Sequence, residues 1–288
     1  EPLPLALPGI FHVRRGGELA NLALPWHVGT TKALGRMQMA PQYLDTVEGR
    51  RIAYHKTEGE GPCVVFLGGL KSDMEGTKAL FLEDWAKARG QAFLRFDYSG
   101  HGESSGQFEE GCIGDWHADT LAAVDALTEG EIVPVGSSMG GWQALLLAKA
   151  RAARIKGMVT IAAAPDFTED GYWANFSAAQ KAELERHGRV ELPSDYMEPY
   201  VVTKRMVENG RQNLVLRSDL NLPFPVRCLQ GTADTAVSTE TALRLLDHAT
   251  CEDMQLTLVK DADHRFSDEA CLTLIEKAVE EVCCGNAN

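Results

Sequence analysis

The residues best suited to chemistry lie at positions 136–140, which read Gly-Ser-Ser-Met-Gly. They fit the Gly-x-Ser-x-Gly pattern of a nucleophile elbow, in which Ser138 is the nucleophile. An apolar run precedes the motif at 132–135, and small and apolar residues follow it at 141–147. The sequence therefore predicts a strand, a sharp turn and a helix. Any side chain at Gly136 or Gly140 is expected to collide across so tight a turn.

A serine hydroxyl is a weak nucleophile at neutral pH, so the motif requires a base and an acid that orients the base. Among the eight histidines, His264 follows an apolar run late in the chain, and Asp234 follows the run before it. Together with Ser138 they give the chain order Ser, Asp, His. We expect His264 to accept the serine proton and Asp234 to orient the imidazole. Asp166, after the preceding predicted strand, is the alternative acid.

Attack on a carbonyl creates an oxyanion, which needs backbone N–H donors worth about 3–4 kcal/mol each. One donor is expected from Met139, directly after the nucleophile. The other is expected from Leu70, in the turn after the apolar run 63–67, where Gly68 and Gly69 let the backbone come close. These two amides are the predicted oxyanion hole.

Several other polar residues near these motifs are expected to be structural. Ser137 occupies the variable position of the motif, and Asp261 and Asp263 are expected in a loop and a turn. His101 lies in a glycine-rich stretch that lacks the Gly-Lys-Ser/Thr ending of a phosphate loop and the spacing of a dinucleotide site. We expect a structural turn there, with contact to the substrate as the alternative. His117 falls on the face of a predicted helix.

The elements that must position these residues form a regular alternation. From Gln42 onward, short apolar runs alternate with segments of helical spacing, which predicts a parallel sheet covered by helices on both faces. The first two predicted strands flank a Glu-Gly-Arg turn, so we expect them to form an antiparallel edge. The expected strands are 42–47, 51–55, 63–67, 92–96, 132–135, 156–163, 225–230 and 255–259, and the expected helices are 77–89, 115–127, 141–147, 238–247 and 267–282.

One insertion, 166–225, interrupts this alternation without a convincing strand. Two stretches of helical spacing, 177–187 and 200–209, lie inside it. The insertion holds seven of the chain's 21 aromatic residues (10 Phe, 6 Tyr and 5 Trp), which exceeds its share of the length. We expect either a lid over an apolar substrate or an insertion with a small core of its own.

Composition argues against several classes of partner. The formal net charge of −13 and the isoelectric point of about 5.1 disfavour nucleic acid and anionic membranes, since both attract Lys and Arg. No apolar segment approaches the ~18–20 residues of a membrane span. The seven cysteines form no Cys-x-x-Cys pair, and no metal-ligand spacing occurs. We expect free, mostly buried thiols in a reducing compartment, and neither a metal nor another cofactor.

Residues 1–41 are expected to form an N-terminal arm before a domain at 42–288. Over 1–40, basic residues outnumber acidic ones, and the apolar residues near the start are broken by prolines. A signal peptide places its basic residues first, which this segment does not. We expect an irregular arm laid over the domain, with the remnant of an organelle-targeting sequence as the alternative. The expected compartment is accordingly cytoplasmic, with a mitochondrial location as the alternative.

Between Gln42 and Val282 the chain resembles the α/β-hydrolase superfamily. The stretch 95–104 is similar to that family's loop after its fourth strand. Three stretches, 74–79 (MEGTKA), 95–100 (RFDYSG) and 136–142 (GSSMGGW), also resemble a narrower subfamily of palmitoyl-protein thioesterases and acyl-glucuronide esterases. The turn at 68–70 departs from the superfamily pattern, because it reads Gly-Gly-Leu without the common His-Gly.

The resemblance implies an α/β fold with an eight-stranded, mostly parallel sheet, helices on both faces and a helical cap. It also implies a serine hydrolase that cleaves carboxylic ester or thioester bonds in a small or acylated substrate, through an acyl-enzyme on Ser138 and without a metal. A peptidase or acyltransferase that uses the same three residues is an alternative. A non-catalytic binding protein of the same fold is another.

Overall fold

The computed structural model describes residues 40–192 and 200–284, so the predicted N-terminal arm lies outside the described residues except for Ala40 and Pro41. Among the described helices, none is long and apolar enough to cross a membrane. The described strands are β1 (Gln42–Asp45), β2 (Arg51–Thr57), β3 (Glu60–Leu67), β4 (Gln91–Phe96), β5 (Ile132–Ser137), β6 (Met158–Ile161), β7 (Arg189–Leu192), β8 (Tyr200–Thr203), β9 (Val226–Gly231) and β10 (Met254–Val259). The described α-helices are α1 (Thr77–Arg89), α2 (Ile113–Leu127), α3 (Met139–Arg151), α4 (Ala178–His187), α5 (Lys204–Gln212), α6 (Thr239–His248) and α7 (Glu269–Cys284).

Eight of these strands form one sheet in the order β1-β2-β4-β3-β5-β6-β9-β10. β2 runs antiparallel to both of its neighbours, and all the other pairs in this sheet are parallel. The prediction of an eight-stranded, mostly parallel sheet is confirmed. Because β3, β5, β9 and β10 run in the same direction, the loops that follow them leave the sheet at its carboxyl end, where ligands bind in folds of this kind.

Helices cover both faces of the sheet, and the strand residues alternate between the two resulting cores. Val133 and Val135 of β5 belong to the core beneath α1 and α7. Ile132 of the same strand belongs to the core beneath α2, α3 and α6. α3 is buried on all sides from Met139 to Ala148, which is expected of a helix that is apolar all round. The helix that follows the nucleophile is therefore fixed at the centre of the molecule.

The insertion between β6 and β9 differs from its prediction. The described residues there include β7 and β8, which pair antiparallel, so the expectation of a segment without strands is wrong. The helix predicted over 200–209 begins only at Lys204, because the aromatic and β-branched residues before it are extended. The hydroxyl of Thr203 caps α5 by accepting from the N–H of Met206 at 3.1 Å. The other predicted helix is confirmed as α4, whose N-terminus carries a capping box.

Two buried side chains hold this insertion, which we call the cap (the described part of 166–225): one is at its first residue and the other lies in α3. Asp166, fully buried after β6, accepts from the N–H groups of Val215 and Leu216 at 2.8 and 3.1 Å. Trp142 of α3 donates from Nε1 to the C=O of Asn213 at 3.0 Å. Both contacts meet the segment that follows α5, so the return of the cap to β9 is tied to the helix behind the nucleophile.

The cysteines whose side chains are described are free thiols, and Cys63, Cys112, Cys228 and Cys271 are buried. Burial raises the pKa of the Cys63 thiol to about 12 and that of the Cys228 thiol to about 11. Both thiols are therefore protonated and unreactive at neutral pH. The prediction of free, mostly buried thiols is confirmed for the described part of the chain.

Candidate active site

Ser138 lies at the sharp turn between β5 and α3. Its backbone has φ 55° and ψ −118°, a combination that is disfavoured for any residue with a side chain. The N–H of Ser138 donates to the C=O of Ile161 at 2.9 Å, and its C=O accepts from the N–H groups of Gly141 and Ala164 at 2.9 and 3.0 Å. These bonds to β6, to the segment after it and to the start of α3 hold the turn in its strained conformation.

The two glycines of the motif allow three backbone segments to meet behind the serine. A Cβ added to Gly136 would lie 2.3 Å from the carbonyl oxygen of Gly140, and a Cβ added to Gly140 would lie 1.9 Å from the carbonyl oxygen of Leu67. Both distances are too short for any side chain, so the predicted collisions are confirmed. The absence of side chains brings β5, α3 and the end of β3 into contact.

The structure brings Ser138, Asp234 and His264 together. Nδ1 of His264 lies 2.8 Å from Oδ2 of Asp234, and Nε2 lies 3.1 Å from Oγ of Ser138. An ionised carboxylate only accepts hydrogen bonds, so Nδ1 carries the proton and Nε2 presents its lone pair to the serine hydroxyl. The three side chains form one hydrogen-bonded chain that can move the serine proton onto the imidazole.

The loops after β9 and β10, which carry Asp234 and His264, are bonded to each other. The N–H of Ala233 donates to the C=O of Ala262 at 3.0 Å. The N–H of Asp261 donates to Oγ1 of Thr232 at 2.9 Å. The neighbouring Asp263 accepts a backbone N–H of its own turn at 3.1 Å. Asp261 and Asp263 are thus loop and turn residues, as expected, and the bonds between the loops set the spacing of acid and base.

The Asp234 side chain is fully buried and has all its hydrogen-bonding positions occupied. Oδ1 accepts from the N–H groups of Ala236 and Val237, both at 2.8 Å, and Oδ2 accepts from Nε2 of Gln230 at 3.0 Å. Burial opposes ionisation, but the bonds from His264 and the backbone amides outweigh it and hold the pKa of Asp234 below its usual range. Gln230 was not predicted to take part. Its signal in the sequence is an amide at the end of a core strand, four residues before the acid.

Asp166, the alternative acid, is engaged elsewhere. Besides two backbone N–H groups, it accepts from Nη1 of Arg217 at 2.6 Å. A guanidinium stays protonated at any physiological pH, so Arg217 cannot take up a proton as an imidazole can. The structure therefore places Asp234 beside the histidine and Asp166 beneath the cap. Ser137 is buried at the end of β5, next to the nucleophile.

The two predicted oxyanion donors lie beside Ser138. Met139 is the first residue of α3, and the N–H groups of the first helical turn have no acceptor within the helix. Leu70 lines the same cavity as Met139 and Ser138. The residue before Leu70 lies against the nucleophile, because a Cβ added to Gly69 would lie 3.4 Å from Cβ of Ser138. The turn after β3 is thus within reach of an acyl oxygen on Ser138.

A cavity of about 550 Å³ opens over Ser138 and His264. This volume lies within the range typical of small-molecule sites. The cap contributes the rings of Phe167, Tyr172 and Tyr200 to its wall. The segment 72–78 contributes Ser72, Thr77 and Lys78 to the wall of the cavity. Of the two expectations for the insertion, a lid over the site therefore has direct support, since its aromatic residues line the cavity.

Residues 64–276 match the alpha/beta hydrolase family. The chain belongs to that family. Palmitoyl-protein thioesterase ABHD10, mitochondrial, of Bos taurus is 32% identical to this chain, and the similarity covers 96% of this chain and 95% of the relative. The predicted resemblance to the α/β-hydrolases and to the palmitoyl-protein thioesterases among them is confirmed.

Two solved structures show the same fold. The crystal structure of a protein from Agrobacterium vitis S4 is 38% identical, with a TM-score of 0.81, and the match covers 85% of this chain and 98% of that one. Alpha/beta hydrolase domain-containing protein 10 from mouse is 30% identical, with a TM-score of 0.79, and the match again covers 85% of this chain and 98% of the other. The sheet and its helices are therefore those of the family over most of the chain.

We predict that Asp234→Asn slows phosphonylation of Ser138 by a fluorophosphonate probe by about 10³–10⁴, because an amide favours the wrong imidazole tautomer. The measurement is the second-order labelling rate of purified protein. Asp166→Asn is the matched control: it weakens the attachment of the cap, so we expect a lower melting temperature with a labelling rate close to that of the parent. The assignment of the acid is wrong if the two variants exchange these phenotypes.

Proposed function

We propose that this protein is a serine hydrolase that cleaves carboxylic ester or thioester bonds of acylated substrates. The observation that carries the proposal is the hydrogen-bonded chain from Ser138 through His264 to Asp234 beneath a cavity of about 550 Å³. A thioesterase relative that covers almost the whole chain supports the substrate class. Ester and thioester leaving groups are favoured over amines, since an amine is a poorer leaving group and demands more of the acid.

The proposed first half-reaction forms an acyl-enzyme. Nε2 of His264 takes the proton of Ser138 while Oγ attacks the acyl carbonyl carbon. The buried Asp234 carboxylate stabilises the imidazolium that results. The oxyanion of the tetrahedral intermediate is bound by the N–H groups of Met139 and Leu70. The imidazolium then protonates the departing oxygen or sulfur, the bond to the leaving group breaks, and the acyl group stays on Ser138.

The second half-reaction reverses these roles with water. The imidazole of His264 accepts a proton from water as the water oxygen attacks the acyl carbonyl. The collapsing intermediate returns the proton to Oγ of Ser138 and releases a carboxylic acid. The side chain of His264 is 31% exposed, so water can approach the base from the cavity. An acyltransferase with the same triad would instead deliver the acyl group to a second organic acceptor.

We predict that the parent hydrolyses p-nitrophenyl esters and acyl thioesters, and that Ser138→Ala lowers kcat by about 10⁴–10⁶, because the nucleophile is removed. The panel also contains aminoacyl p-nitroanilides and an alcohol acceptor. Ser137→Ala is the matched control and is expected to keep most of the activity. Turnover of amides above esters would favour a peptidase, and transfer to the alcohol above hydrolysis would favour an acyltransferase. A parent without turnover on the panel and without labelling by a fluorophosphonate would refute the hydrolase itself.

We propose that the cap rings bind the acyl chain. Phe167 meets Trp142 and Tyr172 edge-on, with ring centroids 5.5 and 5.3 Å apart, and Tyr172 stacks on Phe176 at 6.2 Å. Phe167 and Tyr172 line the cavity, and the buried rings of Trp142 and Phe176 pack behind them. The two lining rings give an alkyl chain an apolar wall near Ser138.

We predict that Tyr172→Ala raises KM for long-chain acyl esters about tenfold, because roughly 1.5 kcal/mol of apolar burial is lost. The KM for acetyl esters is expected to change little. The measurement is therefore the ratio of the KM for long-chain esters to the KM for acetyl esters. Trp173→Ala is the control, since Trp173 carries the cation–π contacts of Lys181 and Arg211 and does not line the described cavity. Equal changes for short and long esters in Tyr172→Ala would contradict this role of the ring.

We further propose mitochondria as the compartment, which is the alternative and not the first expectation from the sequence. Support comes from the mitochondrial designation of a relative matched over 96% of the chain. The prediction is that the endogenous protein, followed with an antibody in fractionated source cells, accompanies a mitochondrial marker and resists added protease until the membranes are opened. Recovery with cytosolic markers would contradict it.

A further inference from the structure

His101 is a buried histidine that the proposed reaction does not use. It follows β4 in the glycine-rich stretch, is only 4% exposed, and does not line the cavity among the described residues. Its Nε2 lies 3.1 Å from the backbone nitrogen of Lys71, and its Nδ1 lies 3.2 Å from the carbonyl oxygen of Ser99. Lys71 directly follows Leu70, so the histidine touches the turn that carries a proposed oxyanion donor.

The two partners of the imidazole fix its tautomer. The C=O of Ser99 can only accept, so Nδ1 carries the proton. The N–H of Lys71 can only donate, so Nε2 presents its lone pair. Burial lowers the pKa of His101 to about 4, which keeps the ring neutral and its acceptor available at neutral pH.

Three aromatic residues keep the ring of His101 in this orientation. Tyr98, Phe108 and Trp116 meet it edge-on, with centroids 5.6, 5.4 and 5.2 Å away. Nε1 of Trp116 also donates to the C=O of Ser99 at 3.1 Å, so the acceptor of Nδ1 is itself fixed. The imidazole therefore offers Nε2 to one place in the turn after β3.

Two consecutive peptide groups of that turn are held by hydrogen bonds. The C=O of Gly69 accepts from the N–H of Ser72 at 3.2 Å and from its Oγ at 2.7 Å. In a trans peptide the C=O and the next N–H point in opposite directions. The N–H of Leu70 belongs to this same peptide and therefore points away from Ser72. The following peptide, which ends in the N–H of Lys71, is the one that His101 holds.

The backbone of Lys71 shows that the turn needs such support. Lys71 has φ 57°, a left-handed conformation that costs a residue with a side chain about 1–3 kcal/mol. Its Nζ lies 5.1 Å from the ring centroid of Phe108 and 5.2 Å from that of Tyr200 in the cap. Lys71 is thus held at its N–H by His101, and at its ammonium group by Phe108 and by Tyr200 of the cap.

We propose that His101 is a positioning residue for the oxyanion hole: by accepting from Lys71 N–H it keeps the Leu70 N–H directed at the acyl oxygen. This inference rests on the proposed hydrolase function and on Leu70 as a donor. The imidazole touches neither substrate nor the reacting atoms. Without it, the turn can relax from its left-handed conformation, and the donor aimed at the oxyanion is lost in part of the population.

A pair of amide substitutions tests this role. In His101→Gln the amide reaches the place of Nε2 and can accept from Lys71, whereas in His101→Asn it is one carbon shorter and reaches only the place of Nδ1. We expect Asn to lower kcat for acetyl esters about 10–100-fold with KM nearly unchanged, a part of the loss that follows removal of an oxyanion donor. Gln is expected to restore most of kcat.

A trifluoromethyl ketone supplies the second readout. Oγ of Ser138 adds to its carbonyl carbon, and the hemiketal oxygen becomes an oxyanion in the same hole. We expect its Ki to rise in His101→Asn by the same factor by which kcat falls. His117→Asn is the matched control, because this histidine lies in α2, and we expect parent values of kcat and Ki. If His101→Asn does not fold, His101→Phe keeps the aromatic contacts, lacks the acceptor and carries the same expectation.

The inference is overturned if the variant without the acceptor keeps the parent kcat and Ki, or if Gln and Asn lose kcat equally. Failure of the proposed function has a different signature, since the parent itself would then hydrolyse no ester and would not be labelled at Ser138. A general loss of stability is separated by the melting temperature, and it would lower the active fraction without changing Ki.

Discussion

The conformation of Ser138 is the constraint on which the rest of the site depends. A left-handed backbone at a residue with a side chain costs about 1–3 kcal/mol, and it persists only where the surroundings determine it completely. Here the hydrogen bonds to Ile161, Gly141 and Ala164 and the burial of α3 do so. Gly140 also packs closely against Leu67. This contact brings the end of β3, and the turn that carries Leu70, beside Ser138. The position of the attacking oxygen and that of a proposed oxyanion donor therefore depend on the same contact.

Two buried aspartates have the same kind of backbone contacts but different side-chain partners. Asp234 and Asp166 each accept from two consecutive backbone N–H groups, which compensates the burial of a carboxylate. They differ in the third partner, which is the imidazole of His264 for one and the guanidinium of Arg217 for the other. An imidazole can gain and lose a proton near neutral pH, whereas a guanidinium cannot. The same pair of backbone contacts therefore accompanies the proposed proton transfer at Asp234 and the attachment of the cap at Asp166.

Much of this could be read from the sequence because periodicity and chain order are local signals. The alternation of apolar runs and helices predicts the sheet, and the order of Ser138, Asp234 and His264 at strand ends predicts their meeting. The cap was harder, since the extended residues before Lys204 and the strand pairing of β7 with β8 depend on contacts distant in the chain. The contact of Gln230 with Asp234 could not be predicted for a related reason: nothing in the sequence of the strand shows which carboxylate its amide contacts in the folded chain.

Strained backbone and buried charge gather at the carboxyl end of the sheet, and the apolar packing that offsets them lies on its two faces. Positive φ values occur at Lys71, Ser138 and Asp166, each of which follows a core strand. Each is stabilised by a polar bond to a different element, so none of these loops is fixed by its own sequence alone. His101 bonds the first, β6 supports the second and the segment after α5 supports the third. The cap is attached through Asp166, which follows β6, and through Trp142 of α3, so its attachment uses two of the elements that surround Ser138.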